Sequence, residues 1–344
     1  MATYDIGMDV HCNNTELAVE KGRKIVECYS VPTTIPAIAD VLESLPGKKH
    51  LAMEEGPMAG WLYRNLFDKV DRLIVSDPRR NRLIASDGDS DDKIDSAKLA
   101  ALLRGNYLRS VHHSLDADQW CLKRWVGLYD DRMKDATRAI NKIRAYGRMH
   151  GIKAPRAVIR DQVKRRQWLA SLDDRNAAAL LDVLWIGYDA AARQCRRAKQ
   201  QLLGRSRHYA IVNWWQELPG VGPIRAATMF AYLDTPWRFK RKNQLWKYCG
   251  LGLVHNSSGK DSRGRYKTGQ LRLAWHANKR LKNAMMGAAM SIINGKDNVF
   301  RDYYEKLIND GLTRSNARHA LARKLLTVMW GMWKGSCRFD ESLV

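Results

Sequence analysis

Four carboxylates lie in or beside short apolar segments of the N-terminal third of the chain. Asp9 lies in the apolar segment 4–10, Glu54 ends the segment 51–54, and Asp92 and Asp95 open an expected helix. The spacing Asp-x-x-Asp puts both carboxylates on one helical face, one turn apart. Because gathered like charges are unfavourable without a cation, four convergent acids suit a two-metal site that clamps the attacking and leaving oxygens of a phosphodiester.

The same acids have a plainer interpretation. Asp is favoured at helix N-termini by the helix dipole, and the other acids can be solvated on loops, so spacing alone leaves both interpretations open. Three neighbouring acids also compete for the same roles. They are Asp5, on the same strand face as Asp9, Glu55 beside Glu54, and Asp91 beside Asp92.

A second candidate for chemistry is the Ser257-Ser258-Gly259 turn in the C-terminal half. A serine in such a turn can cap a helix, hydrogen-bond a phosphate or act as a nucleophile, and these alternatives stay open on the residues alone. His255 lies nearby, but no acid is placed to complete a Ser-His-acid triad.

Two features of the C-terminal third predict contact with nucleic-acid phosphates. Between positions 260 and 282 there are eight Lys plus Arg against the single acid Asp261. The segment 217–228 has the pattern of a helix-hairpin-helix, whose free backbone N–H groups suit a phosphate, although a tight turn without a ligand is the alternative. The predicted nucleic-acid-binding residues are Gly220, Gly222, Lys260, Arg263, Arg265, Lys267, Arg272, Lys279, Arg280 and Lys282.

Composition supports a polyanionic partner. The chain has 344 residues and a formal net charge of +23. Residues 1–115 contain 15 Lys plus Arg and 17 Asp plus Glu, whereas residues 116–344 contain 44 and 19, so the whole excess lies outside the N-terminal third. No stretch reaches 18 apolar residues and the N-terminus has no export signal, which predicts a cytoplasmic protein with no membrane partner. The six separated cysteines predict reduced thiols and no zinc site.

The elements that must position these residues divide the chain into three predicted regions. In 1–115, strands at 4–10, 15–20, 51–54 and 73–76 and helices at 61–67 and 93–103 predict an α/β domain with a mixed sheet. Region 116–212 has helical periodicity with a break at 147–155, which predicts an antiparallel helical hairpin or coiled coil. Region 213–344 is expected to be mainly helical, with helices over 303–333 packing on it. Trp120, Trp125, Trp168 and Trp185 are expected in cores or oligomer contacts.

Three N-terminal segments resemble a known domain. DIGMDVH, EEGPMAGWLYRNL and SDDKIDSAKLA are similar to the signatures of the RuvC-like DEDD domain of the IS110 family, bacterial insertion-sequence recombinases related to the Piv invertase. The resemblance implies an RNase H-like fold for 1–115 and a tetrad of Asp9, Glu54, Asp92 and Asp95. The chain departs from the pattern at Glu55, where a small residue is usual, and at Ser90-Asp91, which replace Lys-Thr.

The stretch from 218 to about 288 resembles the transposase domain that follows in the same family. The shared elements are Leu-Pro-Gly-Val-Gly, Tyr-x-Gly-Leu, Ser-Ser-Gly and a basic segment ending in a Gly-Asn-x-x-Leu-Arg-like helix. Ser258 matches the catalytic serine of the family. Ala277 and Lys282 replace the usual Gly and Arg, a departure that affects phosphate contact and leaves the serine assignment unchanged.

These resemblances together imply an RNA-guided DNA recombinase that moves its own insertion sequence. Ser258 is expected to form a covalent phosphoserine link to DNA, assisted by Mg²⁺ at the acidic tetrad. The implied partners are element-end and target DNA, a guide (bridge) RNA, and further copies of the chain in a dimer or tetramer held by the coiled-coil region. The alternatives are a metal-dependent Holliday-junction-type nuclease and a noncatalytic nucleic-acid-binding protein.

Overall fold

The computed structural model describes residues 2–78, 92–256, 270–273 and 277–341. The chain divides into two compact units, residues 1–117 and 118–344. The first is a sheet covered by helices and the second is mainly helical.

A five-stranded mixed sheet forms the N-terminal unit. In the order β3-β2-β1-β4-β5, β1, β2 and β3 pair antiparallel, whereas β1 with β4 and β4 with β5 pair parallel. The predicted α/β class and mixed sheet are therefore confirmed. The strands are β1 (Thr3–Val10), β2 (Asn14–Lys21), β3 (Lys24–Pro32), β4 (Lys48–Glu54) and β5 (Arg72–Ser76).

Helices cover the two faces of this sheet unequally. Helices α1 (Ile35–Ser44) and α2 (Ala59–Leu66) contribute to the larger core, and α3 (Asp92–Arg104) packs on β1 and β2. The larger core gathers the buried Ile6, Met8, Leu51, Met53, Leu42 and Leu62. Ala52 and Ile74, at alternate positions of β4 and β5, instead pack against Leu99 and Leu103 of α3. The period-2 alternation of the strands therefore separates the two faces.

Two elements of this unit were absent from the sequence prediction. Strand β3 lies at the sheet edge with most of its side chains exposed, so its sequence has no apolar alternation. Helix α1 begins at a Thr34 cap followed by a proline in its first turn. The sequence does contain this start signal.

Two long helices begin the C-terminal unit. Helices α4 (Ala117–Met149) and α7 (Arg175–Ser206) run antiparallel, since Arg132 in the middle of α4 contacts Gln194 of α7, and His150, just after α4, contacts Asp174, the N-cap of α7. The short helices α5 (Arg156–Arg160) and α6 (Gln162–Ala170) connect them. The predicted pair of helices with a break near 147–155 is therefore confirmed, whereas the coiled coil stays a prediction.

The tryptophans of this hairpin lie mostly in apolar clusters. Trp185 is fully buried in the cluster formed by α4 to α7, and Trp168 packs on the same cluster. Trp125 packs on the core of the helices that follow. The prediction that these side chains serve packing is confirmed for these three.

The remaining helices share one core with the base of the hairpin. Trp215, Phe230, Leu245, Met285 and Leu325 are buried together, with Leu122 of α4 and Leu202 of α7 in the same cluster. The predicted helical character of this region is confirmed, and a two-stranded sheet is added to it. The elements are α8 (Ala210–Trp215), α9 (Pro223–Leu233), α10 (Lys242–Tyr248), β6 (Leu253–Asn256), β7 (Gln270–Leu273), α11 (Lys279–Ile293), α12 (Val299–Asn309) and α13 (Arg314–Gly335).

Among the described residues, none of the helices combines the length and apolar character that a membrane crossing requires.

Candidate active site and nucleic-acid surface

Helix α3 lies against β1 at a position where only a glycine fits. A Cβ on Gly7 would lie 1.9 Å from the Ser96 carbonyl oxygen and 2.5 Å from the Ala100 nitrogen. At the other end of the helix, Arg104 pairs with Glu20, which lies opposite Asp5 in the sheet register. Because Asp5 is near the start of β1, α3 runs antiparallel to that strand. The first turn of α3 therefore lies at the carboxyl end of β1.

Two of the predicted acids meet at this end of the sheet. The parallel register pairs Gly7 with Ala52 and Met8 with Met53, so Asp9 and Glu54 follow at the carboxyl ends of adjacent strands. Asp9 comes two residues after Gly7, and Glu54 comes two residues after Ala52. Gly7 and Ala52 both face α3. Because side chains two residues apart point to the same side of a strand, Asp9 and Glu54 lie on that face too. Together with Asp95 in the first turn of α3, they lie at one corner of the domain, which is called the acidic corner below.

The acidic corner is open to solvent. The Asp9 side chain is 28% exposed and lies 3.1 Å from His11 Nε2, and Asp95 lies 3.9 Å from Lys98 Nζ. Asp92 is the first residue of α3, and its side chain lies outside the described set. Among the side chains that are described, no three His, Cys, Asp or Glu groups are close enough to hold a metal ion. Carboxylate oxygens are nevertheless the ligands that Mg²⁺ prefers, so the donor chemistry of this corner fits that ion.

Two of the three competing acids, Asp5 and Glu55, have histidine partners. Asp5, 14% exposed, lies 3.1 Å from His50 Nδ1, near the start of β1 and away from the acidic corner. Glu55 lies 2.6 Å from His113 Nε2. The third competitor, Asp91, lies outside the described residues. Neither histidine could be predicted from the sequence, because its pairing depends on strand register for Asp5 and on a chain segment 58 residues away for Glu55.

The described backbone brackets the serine turn. Strands β6 and β7 pair antiparallel. Asn256 lies opposite Gln270, so the two residues that flank the segment 257–269 are neighbours in the sheet. Ser257, Ser258, Lys260, Arg263, Arg265 and Lys267 lie outside the described residues, as does the side chain of Arg272 in β7. This strand pair was not predicted from the sequence.

The two glycines of the predicted hairpin differ in role. Gly220 has φ +73°, and a Cβ there would lie 2.5 Å from the Ala288 carbonyl oxygen of α11. Arg225 donates to the Gly220 carbonyl at 2.6 Å and to Ser291 Oγ at 2.9 Å. Gly220 therefore allows the turn to pack on α11. Gly222 precedes α9 as its N-cap and has open space around it, so it is the more accessible of the two to a phosphate.

The basic residues that open α11 are partly engaged within the protein. Arg280 Nε donates to Asp130 Oδ2 at 2.6 Å, and a Cβ on Gly250 would touch the Lys282 stem at 3.1 Å. Lys279 is exposed. Asn278 caps the helix by accepting from the Arg280 and Leu281 amides at 3.0 and 3.2 Å. Asn278 thus has a structural role as a helix cap, which was not predicted from the sequence.

Comparison with known proteins places the C-terminal region in a class. Residues 214–305 match the family model described as "Transposase IS116/IS110/IS902 family". This region is therefore similar to the transposases of that family.

Two curated relatives support the same assignment. The chain is 31% identical over 130 residues to "Insertion element IS116 uncharacterized 44.8 kDa protein" of Streptomyces clavuligerus, covering 37% of this chain and 30% of the relative. It is 27% identical over 126 residues to "Insertion element IS110 uncharacterized 43.6 kDa protein" of Streptomyces coelicolor, covering 37% and 29%. The match thus spans about three tenths of each relative. The chain is therefore similar to IS116 and IS110 insertion-element proteins, and the predicted resemblance is confirmed.

Proposed function

We propose that this chain is the DNA transposase of an insertion element and that it cuts and rejoins DNA strands. The family match over residues 214–305, a region that includes Ser258, carries the proposal. The net charge of +25 over residues 116–344 supports DNA as the partner of this part of the chain.

The reaction that we propose is a reversible transfer of a phosphoryl group to serine. Ser258 Oγ attacks the phosphorus of a DNA phosphodiester and loses its proton, while the bond from phosphorus to one deoxyribose oxygen breaks. That oxygen takes up a proton and leaves as a free hydroxyl. The phosphoserine ester conserves the bond energy, so a hydroxyl from another strand can attack it and restore the serine without ATP.

The acidic corner is the proposed metal site for this reaction. Asp9, Glu54, Asp92 and Asp95 would hold Mg²⁺, which when bound stabilises negative charge on phosphoryl oxygens and favours loss of the serine proton. The convergence of Asp9 and Glu54 at adjacent strand ends, with the first turn of α3 beside them, supports this assignment. The RNase H-like classification of the domain belongs to the same proposal.

RNA guidance and oligomer formation complete the proposal. In such a system a guide RNA pairs with donor and target DNA, and the basic surfaces hold the nucleic acids by shape and backbone. The exposed apolar residues Leu180, Val183 and Ile186 of α7 support association of the hairpin with a second copy in a dimer or tetramer.

A test of the proposed reaction is the capture of its covalent intermediate. Purified protein with Mg²⁺, RNA transcribed from the flank of its element and labelled junction DNA should form an adduct that resists SDS and is removed by protease. Ser258→Ala should abolish the adduct and Ser257→Ala, its matched control, should retain it. An adduct that persists in Ser258→Ala but is lost in Ser257→Ala would move the role to Ser257.

A metal-dependent junction nuclease is the second candidate. The acidic corner favours it, because Asp9, Glu54 and the first turn of α3 all belong to the N-terminal unit. In this case Mg²⁺-dependent cleavage would give free ends with no adduct. Cleavage would also survive Ser258→Ala and be lost in Asp9→Asn.

A further inference from the structure

A basic groove in the C-terminal unit is lined by residues of α10, α12 and α13 and by the start of β6. It has a volume of about 770 Å³, within the usual size of ligand sites. None of its charged or aromatic residues was among the predicted nucleic-acid contacts. The lining residues are Lys242, Asn243, Trp246, Lys247, Gly252, Leu253, Tyr303, Ala320, Arg323, Lys324 and Thr327.

The charge of the groove is of one sign. Its described lining includes two lysines from α10 together with Arg323 and Lys324 from α13, and no carboxylate. The Arg323 guanidinium donates to the Leu251 carbonyl at 3.2 Å, and burial lowers its pKa from the usual value. A partly desolvated cation of this kind is stabilised by an anion, and phosphate is the anion that guanidinium and ammonium groups match best.

Two aromatic side chains stand among these cations. The Trp246 indole is held in place, since its Nε1 donates to Thr327 Oγ1 at 3.1 Å and that hydroxyl donates to the Arg323 carbonyl at 2.8 Å. Lys242 Nζ lies 5.6 Å from the Trp246 ring centre, and Lys324 Nζ lies 5.8 Å from that of Tyr303. Cations that follow a backbone beside rings that stack on bases are the usual arrangement for binding a single strand of nucleic acid.

The groove adjoins the strand that leads to the serine turn. Gly252 and Leu253 line it, Leu253 is the first residue of β6, and Ser258 follows five residues later in the sequence. A Cβ on Gly252 would lie 2.7 Å from Lys247 Cα, so this segment is packed closely on α10. The groove and the start of β6 are therefore one continuous surface.

We propose that this groove binds a single strand of the DNA on which the proposed transposase acts. The four cations contact successive phosphates, and Trp246 and Tyr303 stack on unpaired bases. The inference rests on the proposed function for its choice of DNA, and it adds a strand-binding subsite to it.

Direct binding tests the groove independently of catalysis. The full chain is titrated into a fluorescein-labelled single-stranded oligodeoxynucleotide, and anisotropy is read over a range of salt concentrations. The double variant Lys242→Glu/Lys247→Glu should weaken binding at least about tenfold and lower the salt dependence by about two ion equivalents. Lys296→Glu/Lys306→Glu, which reverses two exposed lysines outside the groove lining, is the matched control and should have a much smaller effect. Equal losses in the two variants would overturn the proposal.

Cross-linking locates the bases. An oligodeoxynucleotide with 5-iododeoxyuridine is irradiated on the protein, and the linked peptides are mapped. Links are expected at Trp246 or Tyr303. Trp246→Leu should weaken binding severalfold, whereas Trp246→Phe, which keeps an aromatic face, should restore most of it. Links confined to peptides outside the groove, with binding unchanged in Trp246→Leu, would overturn the assignment.

Two further outcomes separate this inference from the proposed function. If wild type binds the strand through the groove but forms no serine adduct, the proposed function fails and the groove stands. If wild type both binds the strand through the groove and forms the serine adduct, the lysine double variant should form the adduct only at raised DNA concentration. A single-stranded RNA of the same sequence that binds more tightly, with the same dependence on Lys242 and Lys247, would assign the groove to RNA and overturn the choice of DNA.

Discussion

Gly7 of β1 and Ser96 of α3 approach so closely that a Cβ on the glycine would lie 1.9 Å from the serine carbonyl oxygen. Neither residue carries chemistry, yet their contact determines where the first turn of α3 lies. Since that turn contains Asp92 and Asp95, the contact also places it beside the strand ends that carry Asp9 and Glu54. The acidic corner therefore depends on a glycine that has no polar side chain.

Gly7→Ala should destabilise the N-terminal unit by about 1–3 kcal/mol, because a methyl group forced against backbone atoms must displace the helix. Urea unfolding followed by circular dichroism measures the change. Gly56→Ala is the control, since a Cβ at Gly56 meets nothing within 4 Å, and it should change stability by less than about 0.5 kcal/mol. Equal effects of the two substitutions would show that α3 does not rest on Gly7.

Mg²⁺ should raise the melting temperature of the N-terminal unit if the acidic corner holds the ion. At one hundred times the dissociation constant the stabilisation is about 2.7 kcal/mol. Asp9→Asn should remove the shift, whereas Asp5→Asn should keep it, because Asp5 lies near the start of β1 beside His50. Differential scanning calorimetry with and without Mg²⁺ decides between these acids. A shift lost only in Asp5→Asn would place the ion elsewhere.

The sequence alone predicts the strands and helices whose apolar residues recur at a regular spacing, and it predicts the acids at the ends of those elements. Alternating Ile6 and Met8 predicted β1, and Asp9 followed from its place in that strand. The same reasoning could not find β3, because an exposed edge strand buries too little to need alternation.

Contacts between distant segments were also beyond the sequence. His50 faces Asp5, and His113 faces Glu55, through pairings fixed by sheet register and chain folding. The groove around Trp246 was missed for a similar reason, because its cations come from α10 and α13, which are far apart in the chain. In the sequence each α10 lysine resembles an ordinary solvated charge, and only the packing of α10 on α13 places these lysines in one groove.

Arg165 should be the most sensitive polar residue of the helical hairpin. It is 4% exposed, lies over the Trp185 ring at 4.1 Å, and donates to Asp189 at 2.7 Å and to the Val158 carbonyl at 3.0 Å. Arg165→Ala should cost about 3 kcal/mol, since it removes the cation that pairs with Asp189, which keeps only the Gln162 amide, and the donor to the Val158 carbonyl. Arg165→Lys should recover only part of the lost stability. An ammonium group can neither donate several hydrogen bonds in one plane nor stack on an aromatic ring, as guanidinium does. Thermal unfolding tests both variants, with exposed Arg166→Ala expected to be nearly neutral.

Asn278→Ala should destabilise the C-terminal unit by about 1 kcal/mol, because the amides of Arg280 and Leu281 lose their acceptor. Asn278→Asp keeps an acceptor and should retain most of the stability. Asn283→Ala, an exposed position in the same helix, is the control and should not reproduce the loss. Chemical unfolding of the three variants measures the cap. If Asn278→Ala matches Asn283→Ala, the asparagine of the motif is not needed for folding and its role must lie in binding.

Asp174 should make the hairpin sensitive to acid. The Ala177 backbone amide, which donates to Asp174 at 2.9 Å, and then His150 hold the pKa of this carboxyl below its ordinary value. A carboxyl whose pKa is lower in the folded protein stabilises it above the unfolded pKa, and this contribution is lost as the pH falls through the folded pKa. Melting temperatures of wild type and Asp174→Ala should therefore differ at neutral pH and converge in acid. The exposed Asp173→Ala should leave the profile unchanged. A difference that grows as the pH falls would contradict the assignment.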